Sequence, residues 1–152
     1  MQRQTSNQLC TLLASLLLGL VAPVTAAPAA DSVLTITPDA LDYREDPRLP
    51  GTGLARVHGD PTQGPYLLRA RFDPGARTPP HTHPDTRIVT VLEGIYRFGA
   101  GSTFDSTALQ DYGPGVVLVI PAGTPHFSEG GRDGAVVQES GTGPTGMQFV
   151  EP

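Results

Sequence analysis

The sequence predicts an all-β fold, a sandwich or barrel of short strands. The runs "PYLLRARFD", "RIVTVLEGIYRFGA", "GVVLVIP" and "GAVVQES" are rich in β-branched and aromatic residues, which suit a pleated, half-buried surface. Clusters of Gly, Pro and Asp separate them. The chain holds 18 Gly and 16 Pro among its 152 residues, a composition that favours many tight turns over helices. No segment after the N-terminal leader carries the 3.6-residue period of an amphipathic helix; "STALQDY" around Ala108 suits a single turn at most. Short strands with frequent turns are the signature of closed or sandwiched sheets.

From the N-terminus, "MQRQTSNQ" carries one charge, Arg3, and "LCTLLASLLLGLVAPV" follows as an apolar run of signal-peptide length. "VTA" at Val24 to Ala26 fits the small-x-small cleavage pattern, so residues 1–26 are expected to be a leader and the mature protein exported, periplasmic or secreted. The apolar run is shorter than the roughly 20 residues a spanning helix needs, and Pro23 interrupts its end, which argues against stable membrane insertion. The only cysteine, Cys10, lies inside this segment. The mature chain then has no thiol for a disulfide, a thiolate metal site or a nucleophile.

Residues 27–50, rich in Pro and Asp, read as an arm, with "SVLTIT" as a short first strand and the rest as loop. Residues 51–152 hold the strand-rich body, long enough for one domain with its own core. The ten basic residues are all arginine, set against fifteen acids. An acidic chain is a poor partner for nucleic acid or an anionic membrane surface, and the absence of lysine excludes Schiff-base chemistry. No phosphate-binding Gly loop opens a helix, and no Gly-x-Ser-x-Gly elbow is present.

Three of the four histidines form the constellation that carries chemistry. In "TPPHTHPDTR", His81 and His83 stand two apart, so on a strand both side chains point to one face. Pro79 and Pro80 fix φ just before them and stiffen the approach. His126 follows the apolar run "GVVLVI" and the turn Pro121-Ala122-Gly123, which can reverse the chain and aim it at the first pair. Imidazoles placed this way can hold a divalent ion at about 2.0–2.1 Å per nitrogen. His58, in "RVHGDP", belongs to neither group and suits a surface turn. Tyr96 and Phe98 alternate with Arg97 and either fill the core or line a pocket; Gln138 in "AVVQES" is a further candidate for the pocket wall.

These residues resemble the cupin family, small barrels of the jelly-roll or double-stranded β-helix type. Its first motif is Gly, five residues, His-x-His, three or four residues, Glu, six residues, Gly. Gly75, "ARTPP", His81-Thr82-His83, "PDT", Arg87, "IVTVLE" and Gly94 reproduce that spacing except at the Glu. The second motif is Gly, five residues, Pro-x-Gly, two residues, His, three residues, Asn. Gly115, "VVLVI", Pro121-Ala122-Gly123, "TP", His126, "FSE" and Gly130 match it except at the Asn. The tail "GTGPTGMQFV" is similar to that of exported bacterial cupins.

The resemblance implies a divalent transition metal (Zn, Fe, Ni, Cu or Mn) on His81, His83 and His126. It implies a small-molecule ligand or substrate and, as a default, a homodimer. The usual fourth ligand is missing, because its position holds Arg87, whose permanent charge repels a cation. The three imidazoles alone can form the shell; another carboxylate can substitute; or the site has lost its metal. Glu93 shares parity with Arg87 on an unbroken strand but sits about 20 Å further along, and the backbone of Asp85 is expected in a turn. Arg87 itself suits either a surface ion pair with Asp85 or a neighbouring acid, or a bidentate clamp on a substrate carboxylate or enolate. The implied activity is a dioxygenase-like or isomerase-like metalloenzyme. The alternative is a module that binds or senses a metal or small ligand without turnover.

Overall fold

Two long strands organise the folded part of the chain. The computed structural model describes residues 32–151, so the leader and its cleavage site lie outside the described residues. After a 3-10 turn at Pro38–Ala40 come β1 (Arg44–Glu45), β2 (Thr52–Gly59), β3 (Gly64–Phe72) and β4 (Arg77–Thr82). They are followed by β5 (Arg87–Ala100), β6 (Gln110–Tyr112), β7 (Val117–Ile120), β8 (His126–Gly143) and β9 (Gln148–Phe149). Every pairing is antiparallel.

Strands β5 and β8 pair along almost their whole length, from Ile88↔Ser140 to Ala100↔His126, and this ribbon runs through both layers of the fold. In one layer the order is β1-β2-β3, the second half of β8, the first half of β5, then β7. In the other it is β9-β4, the first half of β8, the second half of β5, then β6. The ribbon bends between the layers, where its register shifts at Val91/Glu93 and Gly94/Tyr96. Glycine permits the bend. Gly94 has φ +67°, and a Cβ there would lie 2.1 Å from the Gly134 carbonyl oxygen, far inside van der Waals contact. Only glycine adopts that left-handed backbone without strain.

The interior between the layers follows the two-residue period. On β5, Arg87, Val89 and Val91 are buried and Ile88 is exposed. Ala70 and Phe72 of β3, Ile120 of β7, and Ala135 and Val137 of β8 complete the core with Tyr96. Val89, Val91 and Val137 are almost wholly excluded from solvent, and each such burial stabilises the fold by about 1.5–3 kcal/mol. An aromatic row, Phe72, Tyr96 and Phe98, with centroids 5.4 and 6.2 Å apart, leads from this core to His126. The Phe98 ring stacks on His126 at 5.2 Å.

The all-β class is as expected, and "RIVTVLEGIYRFGA" is the observed β5 residue for residue. "SVLTIT" forms no strand: residues 32–37 carry no regular structure, and Val33 is 93% exposed. The stretch following Gly51, which has few turn-free apolar runs, is nevertheless the eight-residue strand β2. The arm contributes an edge strand as well, since Arg44 and Glu45 pair with Leu54 and Gly53. His58 is exposed, as expected, but sits on β2 rather than in a turn.

Candidate metal centre

Strand register brings the three histidines together. His81 on β4 and His126 at the start of β8 are cross-strand partners, whose side chains share one face. His83 lies two residues beyond His81 and keeps that face. The turn after β7 closes on Thr124 N–H donating to Pro121 O at 3.2 Å, and Gly123 N–H donates to the His83 carbonyl at 2.8 Å. The second motif is thereby tied by backbone to the first. The prolines of the first are tolerated in β4 because its ladder with β8 is interrupted between Thr78 and His81, where a missing N–H costs nothing.

All three side chains are buried, with relative exposures of 3% for His81, 5% for His83 and 3% for His126. One nitrogen from each ring lies within 4.8 Å of the others. Each Nδ1 faces a backbone carbonyl: His81 that of Pro79 at 2.7 Å, His83 that of Gly146 at 2.5 Å, and His126 that of Thr124 at 2.9 Å. A carbonyl only accepts, so each Nδ1 carries the proton and each Nε2 keeps a free lone pair.

Burial pushes His81 down to about 4, aided by neighbouring His126, and burial with the nearby Arg87 charge pushes His83 down to about 3. His126 is lowered by burial as well. The imidazoles are therefore neutral at pH 7, the form that ligates metal. This donor set fits a divalent transition metal. Two nitrogens at about 2.1 Å from one ion stand at most about 4.2 Å apart, when trans, so a pair 4.8 Å apart must close by at least about 0.6 Å.

No carboxylate joins the triad among the described residues. Glu93 is exposed, because the bulge after Val91 breaks the parity it would need. Asp85 is buried, but both its oxygens are engaged, one by the Tyr66 hydroxyl at 2.5 Å and the other by the Thr145 hydroxyl. Burial and this hydrogen bond raise Tyr66 to about 12.

Arg87 makes an ion pair, but not at the surface. It is buried; Nη1 donates to Glu139 at 2.5 Å, Nη2 donates to Thr145 Oγ1 at 3.0 Å, and Nε stands 4.0 Å from Asp85 with no hydrogen-bond partner. Glu139 was missed in the sequence, where its neighbour Gln138 drew attention. The two alternate on β8, and it is Glu139 that shares a face with buried Val137.

A cavity of about 980 Å³ reaches the triad through His83, with Leu68, Ala70, Phe72, Arg87 and Glu139 also on its wall. Neither Gln138 nor Tyr96 lines it. Gln138 projects from the opposite face of β8, and Tyr96 is buried in the core, near Ser128, where desolvation raises its phenol.

The cupin family model matches residues 57–150. This chain is a cupin. Among curated proteins, the cupin is 38% identical over 69 residues to germin-like protein 1-1 of Oryza sativa subsp. japonica, covering 45% of this chain and 32% of that one. It is 36% identical over 84 residues to germin-like protein subfamily 2 member 1 of Arabidopsis thaliana, covering 55% and 38%. The match thus spans only about a third of the length of these plant relatives.

Among solved structures, the polyketide cyclase RemF of Streptomyces resistomycificus superposes with a TM-score of 0.67 at 20% identity, over 80% of this chain and 87% of that one. A recombinant oxalate oxidase in complex with glycolate superposes with a TM-score of 0.52 at 27% identity, over 66% and 55%.

Proposed function

We propose that this cupin is an exported small-molecule metalloenzyme in which His81, His83 and His126 hold one divalent transition metal (Zn, Fe, Ni, Cu or Mn). The observation that carries this is a buried cluster of three imidazoles with one nitrogen from each within 4.8 Å of the others, in which all three Nδ1 atoms are committed to backbone carbonyls and the Nε2 lone pairs stay free. A metal bound there supplies Lewis acidity or a redox centre. The chain's own residues exclude water around the rings, hold them neutral and admit a small organic molecule through the cavity beside His83. Arg87 would meet a ligand as part of a charge-compensated pair with Glu139, so it orients by hydrogen bonds more than it attracts by net charge. The cupin resemblance is the ground for a dioxygenase-like or isomerase-like reaction, and the similarity to an oxalate oxidase in complex with glycolate supports a small organic molecule as its ligand. The leader-like N-terminus supports export, and a homodimer is the proposed assembly.

The absence of an acidic fourth ligand among the described residues favours a second reading, a cupin that binds or senses a metal or small ligand without turnover. Elemental analysis of protein from its native host should find about one transition metal per chain, lost in His126→Ala. Oxygen uptake and product analysis with small phenols, diketones, oxalate and glycolate then separate the two readings. Turnover abolished in His126→Ala supports the enzyme, and saturable binding without turnover supports the binding module. A wild-type protein with no more metal than His126→Ala would remove the basis for both metal readings.

A further inference from the structure

His83 differs from its two partners in what holds its ring. His81 and His126 each donate Nδ1–H to the carbonyl two residues earlier, Pro79 and Thr124, so both rings are fixed by their own rigid stretches. His83 donates to Gly146, 63 residues away. That carbonyl belongs to the segment from Gly143 to Val150, which leaves the end of β8 and lines the cavity through Thr145, Gly146 and Met147.

The segment is fastened at both ends by backbone. Thr145 N–H donates to Pro61 O at 2.9 Å, Val150 N–H donates to Pro80 O at 2.9 Å, and β9 pairs with β4 at His81↔Phe149. At Thr145, next to Gly146, one side chain fastens it as well. The Thr145 hydroxyl donates to Asp85 and accepts from Arg87 Nη2 at 3.0 Å. Both partners are buried. The hydroxyl thus joins the strap to the arginine that stands where the resemblance expects an acidic ligand.

We propose that the 143–150 segment is a structural part of the metal centre, and that Thr145, pinned by Asp85 and Arg87, is the positioning residue that sets the ring of His83. Resting on the metal reading above, this gives Arg87 a task other than ligation: it holds the strap that orients a ligand. Among the described residues, the Gly146 carbonyl alone fixes by hydrogen bond which nitrogen of His83 carries the proton. Without it the ring can turn and present the wrong atom to the ion. Loss of such an outer partner typically costs about 10–100-fold in metal affinity.

The test compares wild type with Thr145→Val, which keeps the shape and removes the hydroxyl, and Thr145→Ser, which restores it. Imidazole ¹⁵N shifts of the metal-free proteins report the tautomers, and Zn²⁺ titration against a chromophoric chelator reports affinity. In wild type all three rings should be protonated on Nδ1. In Thr145→Val, His83 alone should become a tautomer mixture, with Zn²⁺ bound about 10–100-fold more weakly, and Thr145→Ser should recover both. A wild-type His83 protonated on Nε2 overturns the proposal by itself, whether or not Thr145→Val folds. So does a folded Thr145→Val with wild-type tautomers and affinity. If wild type binds no Zn²⁺, the metal reading fails, and the ¹⁵N comparison still decides the role of the strap.

Discussion

Replacing Arg87 by methionine tests the buried charge network most directly. Methionine keeps most of the length of the side chain and removes the guanidinium. What remains is Glu139, whose side chain is 12% exposed, and Asp85, 7% exposed, with no cation between them. Breaking a buried ion pair from one side costs about 3–5 kcal/mol, because the orphaned charge stays desolvated. The hydrogen bonds that Tyr66 and Thr145 make to Asp85 hold that carboxylate, so Glu139 bears most of the loss, and a value near the lower end, about 3 kcal/mol, is expected. Against a domain stability of about 5–15 kcal/mol this is a large fraction. With a urea m-value of about 1.5 kcal/mol/M, the unfolding midpoint should fall by about 2 M.

The double variant Arg87→Met/Glu139→Leu removes both charges, and it should regain most of the loss, since an apolar pair of similar volume is often as stable as a buried ion pair. Urea unfolding followed by circular dichroism measures all four corners of the cycle. A single variant within about 1 kcal/mol of wild type, or a double variant whose loss is the sum of the two singles, refutes the reasoning.

Two other outcomes follow from the same structure. Burial pushes His81 down to about 4 and His83 down to about 3 in the folded, metal-free protein, below the ordinary imidazole value of about 6.5, so the unfolded chain takes up protons that the folded triad refuses. Their contribution to stability is complete above about pH 6.5 and is lost as the pH falls toward 4; urea midpoints between pH 7.5 and 4.5 should drop less steeply in His83→Asn. Gly94→Ala should cost more than about 3 kcal/mol, combining a left-handed backbone with a Cβ 2.1 Å from the Gly134 oxygen; thermal unfolding or soluble yield reports it, and a near-native midpoint would contradict the tight bend.

The triad was legible because its signals are local. The i, i+2 pair reads directly as one strand face, and the turn before His126 is written in Pro121 and Gly123. The buried alternation from His81 through Asp85 and Arg87 to Val91 has the same origin. What stayed hidden depends on cross-strand register. Parity along β8 is ambiguous until its partners are known, so Gln138 drew attention in place of Glu139. Glu93 keeps parity with Arg87 only on an unbroken strand, and the bulge at Val91/Glu93 has no residue-level signature except the glycine that follows. The Thr145 hydroxyl and the Gly146 carbonyl lie 60 and 63 residues from their partners, and such pairings leave no trace in a local pattern. Strand β2 was overlooked because it begins with turn-like residues, Thr52 and Gly53, and gains its place by pairing with β3.

The shared ribbon of β5 and β8 has a mechanical consequence. Because both layers are cut from the same two strands, neither can swing away from the other unless the central hydrogen-bonded ladder unzips. Motion that admits a ligand must therefore come from peripheral pieces, the arm and the tail. The walls that carry His126 at one end of β8 and Glu139 toward the other move as a single girder.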